Sequence, residues 1–297
     1  MVINNHTEIF QNKNHYNDFL KQGFSASNYI GNEQIEELRK LYYKVEPEFY
    51  FDKGCSFSLL LENIELRRMI HDEIVKICKP FLDQIFKDYK IFIAHFISKK
   101  PSAETFINLH QDPMFTDQAI SPGVGVWTPL DDLTEEMGTF GIINHSPTAF
   151  PPFQAETITQ VYKNVYPELF KSVSEFNPKA GDCLFFDNRM IHYTKPNISG
   201  KTRVGVTIKI AHKDADCITI HKPPQNPKSS ISVYEHKDGF YLDSNWIYDD
   251  KKDHGQNDKI GVLEYEPAME DLDSINLKLR HNFVNQFQKK SIKRFLV

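Results

Sequence analysis

The stretch "FNPKAGDCLFFDNRMIHYTKPNISGKTRVGVTIKI", residues 176–210, decides the architecture. It passes from a Pro/Gly turn through a β-rich run to His192, then through a second turn into a long strand that opens at Arg203. Successive strand side chains alternate, so Val204, Val206, Ile208 and Ile210 share one face while Arg203, Gly205, Thr207 and Lys209 share the other. The first face is ordinary core. The second aims a guanidinium, with a glycine and a threonine, into the interior of a sheet. A buried guanidinium requires an anion, and a small dicarboxylate suits its paired donors.

Outward from this stretch, "IFIAHFI" (91–97), "VGVWTPL" (124–130), "GTFGII" (138–143) and "DCLFFD" (182–187) are further short β-rich runs between turn residues. They predict an antiparallel sandwich or barrel. The first third is helical in pattern. Ile35, Leu38, Leu41, Tyr42 and Val45 recur at helical spacing over 32–46, with Asn32 as the expected cap. A second stripe over 62–79 is expected to be interrupted or kinked at Pro80 before Phe81, Leu82, Ile85 and Phe86 carry it on. The fold class expected is therefore mainly β with flanking helices, as one domain over 1–297. Its parts are a helical N-terminal region to about 90, a β core over 91–212, and an irregular and helical extension over 213–297. In that extension "HKPPQNPKSS" (221–230) and "YDDKKDHGQNDK" (248–259) read as exposed loops, and 270–294 as a helix with a solvated basic end.

Composition excludes several classes. The 297 residues are 40% hydrophobic with a net charge of −5, and no long basic run precedes the last few residues, so nucleic acid is not an expected partner. No stretch approaches the ~20 apolar residues of a membrane span. The start, "MVINNHTEIFQNKNHYNDF", lacks the pattern of a secretory signal, so a soluble, cytoplasmic protein is expected. Cys55, Cys78, Cys183 and Cys217 are widely spaced and form no CxxC pair, which indicates neither a zinc ribbon nor a disulfide scaffold.

The chemistry lies elsewhere. "NLHQDPMF" (108–115) puts His110 and Asp112 two positions apart; if 106–112 finish a strand, both face one side. Alone, such a pair reads as an ordinary polar turn rather than as half a metal site. His192, 80 residues beyond Asp112, supplies a third candidate, and two histidines with one carboxylate on a β scaffold form the facial triad of non-haem Fe(II) oxygenases. His145 reads as a structural or substrate-side residue, and His212, His221, His236 and His254 as satisfied or solvated.

This order of HxD, distal histidine and Arg203 eleven positions on resembles the phytanoyl-CoA dioxygenase family of Fe(II)/2-oxoglutarate-dependent oxygenases. "VWTPLDDLTEEMGTFGIINHSP" (126–147), "NPKAGDCLFFDNRMIH" (177–192) and "DFLKQGFSASNYIGNEQIEELRK" (18–40) are similar to further family segments, although "HSP" at 145–147 replaces the usual "GSH". The resemblance implies a double-stranded β-helix (jelly-roll, cupin-like) core. It implies that His110, Asp112 and His192 hold Fe(II), that Arg203 and Thr194 anchor the distal carboxylate of 2-oxoglutarate, and that Trp127, Lys99 and His95 contact this cosubstrate. It further implies O2-dependent decarboxylation of 2-oxoglutarate to succinate and CO2, coupled to oxidation of an unactivated C–H bond. Halogenating relatives replace the carboxylate at position 112, so Asp112 favours hydroxylation; desaturation or cyclisation uses the same iron chemistry. A redox-inert, cupin-like metal protein and a non-catalytic relative are the competing classes, and Arg203 with Thr194 argues against the former. Without a clustered basic loop for a CoA phosphate, the expected substrate is a free small molecule such as an amino acid or its derivative. "PMFTDQ" (113–118) and residues 149–170 are placed to form a lid.

Overall fold

The computed structural model describes residues 8–28, 30–151, 153–155, 158–222, 230–244 and 258–264, with 269, 271 and 273–274 further on. Helices α1 (Lys13–Gln22), α2 (Asn32–Val45) and α3 (Ile64–Ile85) flank strands β1 (Phe24–Asn28) and β2 (Cys55–Phe57) in the N-terminal part. Strands β3 (Tyr89–Lys99), β4 (Ile107–His110), β5 (Val124–Pro129), β6 (Phe140–Ile143), β7 (Val173–Phe176), β8 (Asp182–Asp187), β9 (His192–Thr194) and β10 (Arg203–His212) follow. Two one-turn helices, α4 (Ser146–Ala149) and α5 (Tyr166–Leu169), lie in the β6–β7 connection.

These strands build a six-stranded sheet in the order β1-β8-β5-β10-β3-β2 and a four-stranded sheet in the order β4-β9-β6-β7, every pairing antiparallel. This is the jelly-roll core. The alternation in β10 does what its sequence predicts. Val204, Val206, Ile208 and Ile210 are buried with Leu38 of α2 and Ile70, Ile74 and Leu82 of α3 on the outer face of the large sheet. Each such side chain contributes roughly 1.5–3 kcal/mol on burial, so this layer holds the sheet flat against the helices and leaves its other face free for chemistry. Between the sheets, Trp127, Phe140, Ile142, Leu184 and Phe186 form a second cluster.

Local details differ from the sequence expectations in physically simple ways. Gly31, not Asn32, occupies the cap of α2, and Asn32 is the first helical residue. Helix α3 runs unbroken through Pro80, capped by Asn63, whose side chain accepts from Leu66 N. Pro80 and Lys76 both lie on the exposed face. Water can therefore serve the carbonyl that proline leaves without its donor, while the apolar stripe opposite holds the helix together.

The larger correction concerns the extension. Strands β11 (Cys217–His221), β12 (Ser230–His236) and β13 (Asp258–Glu264) form a third antiparallel sheet, and the short helix α6 (Phe240–Asp243) follows β12. Ile218 and Ile220 on β11 and Ile231 and Val233 on β12 alternate into a common buried cluster with Met114 and Phe153. Strands of five to seven residues embedded in Lys/Asp/Pro-rich sequence carry too short an alternation to stand out. Most of each expected loop (223–229 and 248–257), His254 within the second, most of the expected 270–294 helix and its basic end lie outside the described residues. Among the described residues no helix is long and apolar enough to cross a membrane.

Candidate metal and cosubstrate site

Strand pairing brings the histidines together: His110 on β4 and His192 on β9 are register partners, with ring centroids 4.2 Å apart. Strand β4 ends at His110, earlier than the sequence expectation, and Asp112 lies in the segment beyond it. Hydrogen bonds to the β8–β9 connection turn that segment back. Gln111 Nε2 donates to Arg189 O at 2.7 Å, and Asn188 Nδ2 donates to Pro113 O at 3.0 Å. Asp112 Oδ1 thereby comes to 3.7 Å from Nε2 of both histidines, and one ligand atom from each of the three residues lies within 4.8 Å of the others. His110 Nδ1 bonds to Asn108 O at 2.8 Å and His192 Nδ1 to Met190 O at 2.9 Å. A carbonyl only accepts, so each Nδ1 carries the proton and each Nε2 presents a lone pair to the common centre, the tautomer a metal requires.

The electrostatics suit a cation. Burial alone would raise the Asp112 carboxyl, but the Lys209 ammonium beside it holds it well below the usual carboxylate range. Burial, with His110 beside it, pushes His192 down to about 3, so its ring stays neutral. Lys209 completes the group. Its ammonium pairs with Asp112 Oδ2 and donates to Asn188 Oδ1 at 2.9 Å, which leaves Oδ1 as the oxygen facing the histidines.

Along the inner face of β10 the remaining candidates fall into cross-strand pairs with β3: Arg203 opposite Lys99, Gly205 opposite Ile97, Thr207 opposite His95 and Lys209 opposite Ile93. All eight line one cavity of about 320 Å³ that also contains the His–Asp–His group. Six residues at strand rise put Arg203 and Lys209 roughly 20 Å apart along the strand, so the cavity has a cationic end and an opposite end. Arg203 is 5% exposed, and its Nη1 meets no hydrogen-bond partner. Thr207 Oγ1 is likewise buried and unpartnered. Burial draws the arginine down to about 10 and, together with Arg203, draws Lys99 down to about 7. Lys99 Nζ donates to Thr194 Oγ1 and, at 3.2 Å, to Lys195 O. Burial also pushes His95 down to about 4, leaving a neutral ring in the cavity wall.

Trp127 has a definite structural place. The Arg203 guanidinium lies 5.4 Å from the centre of its ring, Trp127 stacks on Phe140 at 4.9 Å, and Phe140 stacks on His192 at 5.6 Å. One aromatic column thus ties the cationic end to a candidate metal ligand. Glycine at 205 leaves room for this column, since a Cβ there would sit 2.9 Å from Trp127 Nε1 and the indole would have to shift.

The lid expectation needs correcting for its first segment. "PMFTDQ" is a wall, not a lid: Met114, Phe115, Thr116, Asp117 and Gln118 are buried, and Ile218 N donates to Phe115 O at 3.0 Å. Of 149–170, the described part packs Phe150, Tyr162, Val165 and Leu169 into a buried cluster, while Gln154, Ile158 and Lys163 line a groove of about 530 Å³ outside His110. His145 lies away from the site, with its Nδ1 bonded to Lys21 O at 2.9 Å at the start of α4. The sequence also gave no sign of the Lys209–Asp112 pair or of Tyr241 in the cavity wall. The inward face of β10 was the one signal pointing to Lys209, and its partner lies 97 residues upstream.

A family model described as phytanoyl-CoA dioxygenase matches residues 32–205, more than half the chain. No curated protein matches it in sequence. Among solved structures, the non-haem α-ketoglutarate-dependent epimerase SnoN from nogalamycin biosynthesis is 14% identical over 69% of this chain and 84% of its own, with a TM-score of 0.51. The carbocyclase SnoK from the same biosynthesis is 14% identical over 69% and 86%, with a TM-score of 0.49. HygX from Streptomyces hygroscopicus, solved with nickel, 2-oxoglutarate and hygromycin B, is 15% identical over 68% and 88%, with a TM-score of 0.46. At such identity the likeness to SnoN speaks to the fold alone. The family match over the jelly-roll core carries more: the chain belongs to the phytanoyl-CoA dioxygenase family and is a non-haem iron enzyme that uses Fe(II), 2-oxoglutarate and O2.

Proposed function

We propose that His110, Asp112 and His192 hold the Fe(II), that Arg203 anchors 2-oxoglutarate, and that the enzyme hydroxylates a C–H bond of a small molecule. One observation carries this reading: a buried arginine with an unpartnered Nη1 and a buried, unpartnered Thr207 hydroxyl share the β10 face that meets the His–Asp–His group. Orphaned buried donors are costly, and a dicarboxylate satisfies them. Bound at this site, Fe(II) with 2-oxoglutarate and O2 supplies a two-electron oxidation of substrate with release of succinate and CO2.

The chain's own residues prepare for that chemistry. The Nδ1–H bonds to Asn108 and Met190 orient both imidazoles, and Lys209 with Asn188 holds Asp112. Lys99 and Thr194 stand beside Arg203 as a further donor pair for the distal carboxylate. Trp127, Phe140 and Phe186 wall the site and keep bulk water from it. A carboxylate at 112, where a halide site would require a small residue, supports oxygen insertion.

Anaerobic addition of Fe(II) and 2-oxoglutarate to the wild-type protein should give the weak visible absorption of the chelate, and His110→Ala should abolish it. Under O2 the wild type should form succinate. Absence of both signals from the intact protein would refute the proposal. Incubation with a metabolite extract then separates outcomes by mass: one added oxygen for hydroxylation, loss of two hydrogens for desaturation or cyclisation.

A further inference from the structure

The end of the cavity opposite Arg203 is built differently from the rest. Leu59, Ile93, Phe115 and Tyr241 line it, and the last three belong to one buried cluster against which Leu59 packs. The charges of the cavity are already committed. Arg203 and Lys99 stand at the other end, Lys209 is bound to Asp112 and Asn188, and Asp112 is the one acid among the described lining residues.

Tyr241 comes from α6, outside the family-matched segment 32–205. It is 3% exposed, and its hydroxyl donates to Ile218 O at 2.8 Å, so its polar atom is spent on backbone and its ring faces the cavity. The helix carrying it is fastened from two sides. Arg67 of α3 donates to Ser244 O at 2.7 Å and to Leu242 O at 3.3 Å, and His236 of β12 stacks on Phe240 with centroids 3.6 Å apart. The wall is therefore preformed.

From this arrangement we infer that the far end of the cavity receives an uncharged, apolar group of the substrate, of single-ring or branched-alkyl size, and that Tyr241 sets its limit. This rests on the iron and 2-oxoglutarate reading above and adds the substrate class to it. A charged group placed there would be desolvated without a partner. An amino-acid head, the expectation from sequence, finds neither a free carboxylate for its ammonium nor a free cation for its carboxylate at that end. The size limit follows from the volume: about 320 Å³ stands near the lower bound of ligand pockets, and 2-oxoglutarate shares it.

The test uses the anaerobic wild-type protein with Fe(II) and saturating 2-oxoglutarate, titrated with toluene, benzoate or benzylammonium while the visible chelate band is followed. Toluene should perturb the band saturably, and both charged analogues should bind at least about tenfold more weakly. Tyr241→Trp should weaken toluene by about tenfold or more while leaving the band itself in place, and Tyr241→Phe, which keeps the ring, should match wild type within about twofold. Should Tyr241→Trp lose the band, Ile93→Phe fills the same end from β3 and takes its place. Equal or tighter binding of a charged analogue, no saturable response to toluene, or toluene binding unchanged by the filling variant would overturn the inference. Absence of the chelate band before any probe is added would instead overturn the iron reading beneath it.

Discussion

Replacing Arg203 by methionine distinguishes a cosubstrate anchor from a structural cation, because the two roles predict opposite signs. The guanidinium is buried, its Nη1 lacks a partner, and burial draws its pKa down to about 10. The free protein therefore carries the unfavourable desolvation of a charge, only partly relieved by the Trp127 ring. A methionine of similar length removes that penalty and forfeits the cation–π contact, for a net stabilisation of roughly 1 kcal/mol, or about 2 °C in Tm, without 2-oxoglutarate. Cosubstrate binding moves the other way. Charge-assisted hydrogen bonds contribute about 1.5–3 kcal/mol each. With two lost and Lys99 left to compensate in part, the cost is about 3 kcal/mol, a weakening of about a hundredfold in Kd. Calorimetric titration with 2-oxoglutarate and a thermal melt read the two effects, and Fe(II) affinity should stay within about twofold. A lower Tm with unchanged 2-oxoglutarate affinity would make Arg203 a structural residue and refute the reasoning, as would equal loss of metal and cosubstrate.

Lys99, drawn down to about 7 by burial and Arg203, is largely neutral at pH 8 in the cosubstrate-free protein. A bound dicarboxylate favours its charged form and raises that pKa, so binding takes up a proton and affinity falls above about pH 7, by at most about tenfold per unit. Calorimetry in two buffers of different ionisation enthalpy measures the uptake, and a flat profile from about pH 7 to 9 contradicts it. In Gly205→Ala the new Cβ would lie 2.9 Å from Trp127 Nε1, so the indole must shift away from Arg203. A weakening of 2-oxoglutarate binding by about tenfold with altered tryptophan fluorescence is expected, and no change in either would show that the column tolerates the methyl group. Arg67→Met removes the donors that serve the Leu61, Leu242 and Ser244 carbonyls. It should cost about 3 kcal/mol and accelerate amide exchange in 240–244 more than in β10; an unchanged urea midpoint would refute the docking role assigned to this arginine.

Much of the core was legible in sequence because its signals are local. The inward and outward faces of β10 follow from the two-residue period alone, and both the helical stripes and the β-rich runs came out where their patterns put them. The HxD spacing placed two ligand types near each other, although its premise of one continuous strand was wrong. Asp112 reaches the histidines through the loop held by Gln111 and Asn188. The third sheet escaped because its strands are short and flanked by polar residues, and the lid expectation failed because the PMFTDQ segment is buried beneath that sheet.

The fold class, the residue types gathered at the site and the inward face that carries Arg203 could all be read from local sequence. These depend on neighbouring side chains along one strand, and alternation imposes them wherever the strand lies. The pairing of Lys209 with Asp112, the column by which Trp127 and Phe140 join Arg203 to His192, and the place of Tyr241 at the apolar end became visible in the folded chain alone. Each of these depends on register between segments far apart in the chain. Such register is set by the packing of whole sheets, and no local pattern of residues encodes it.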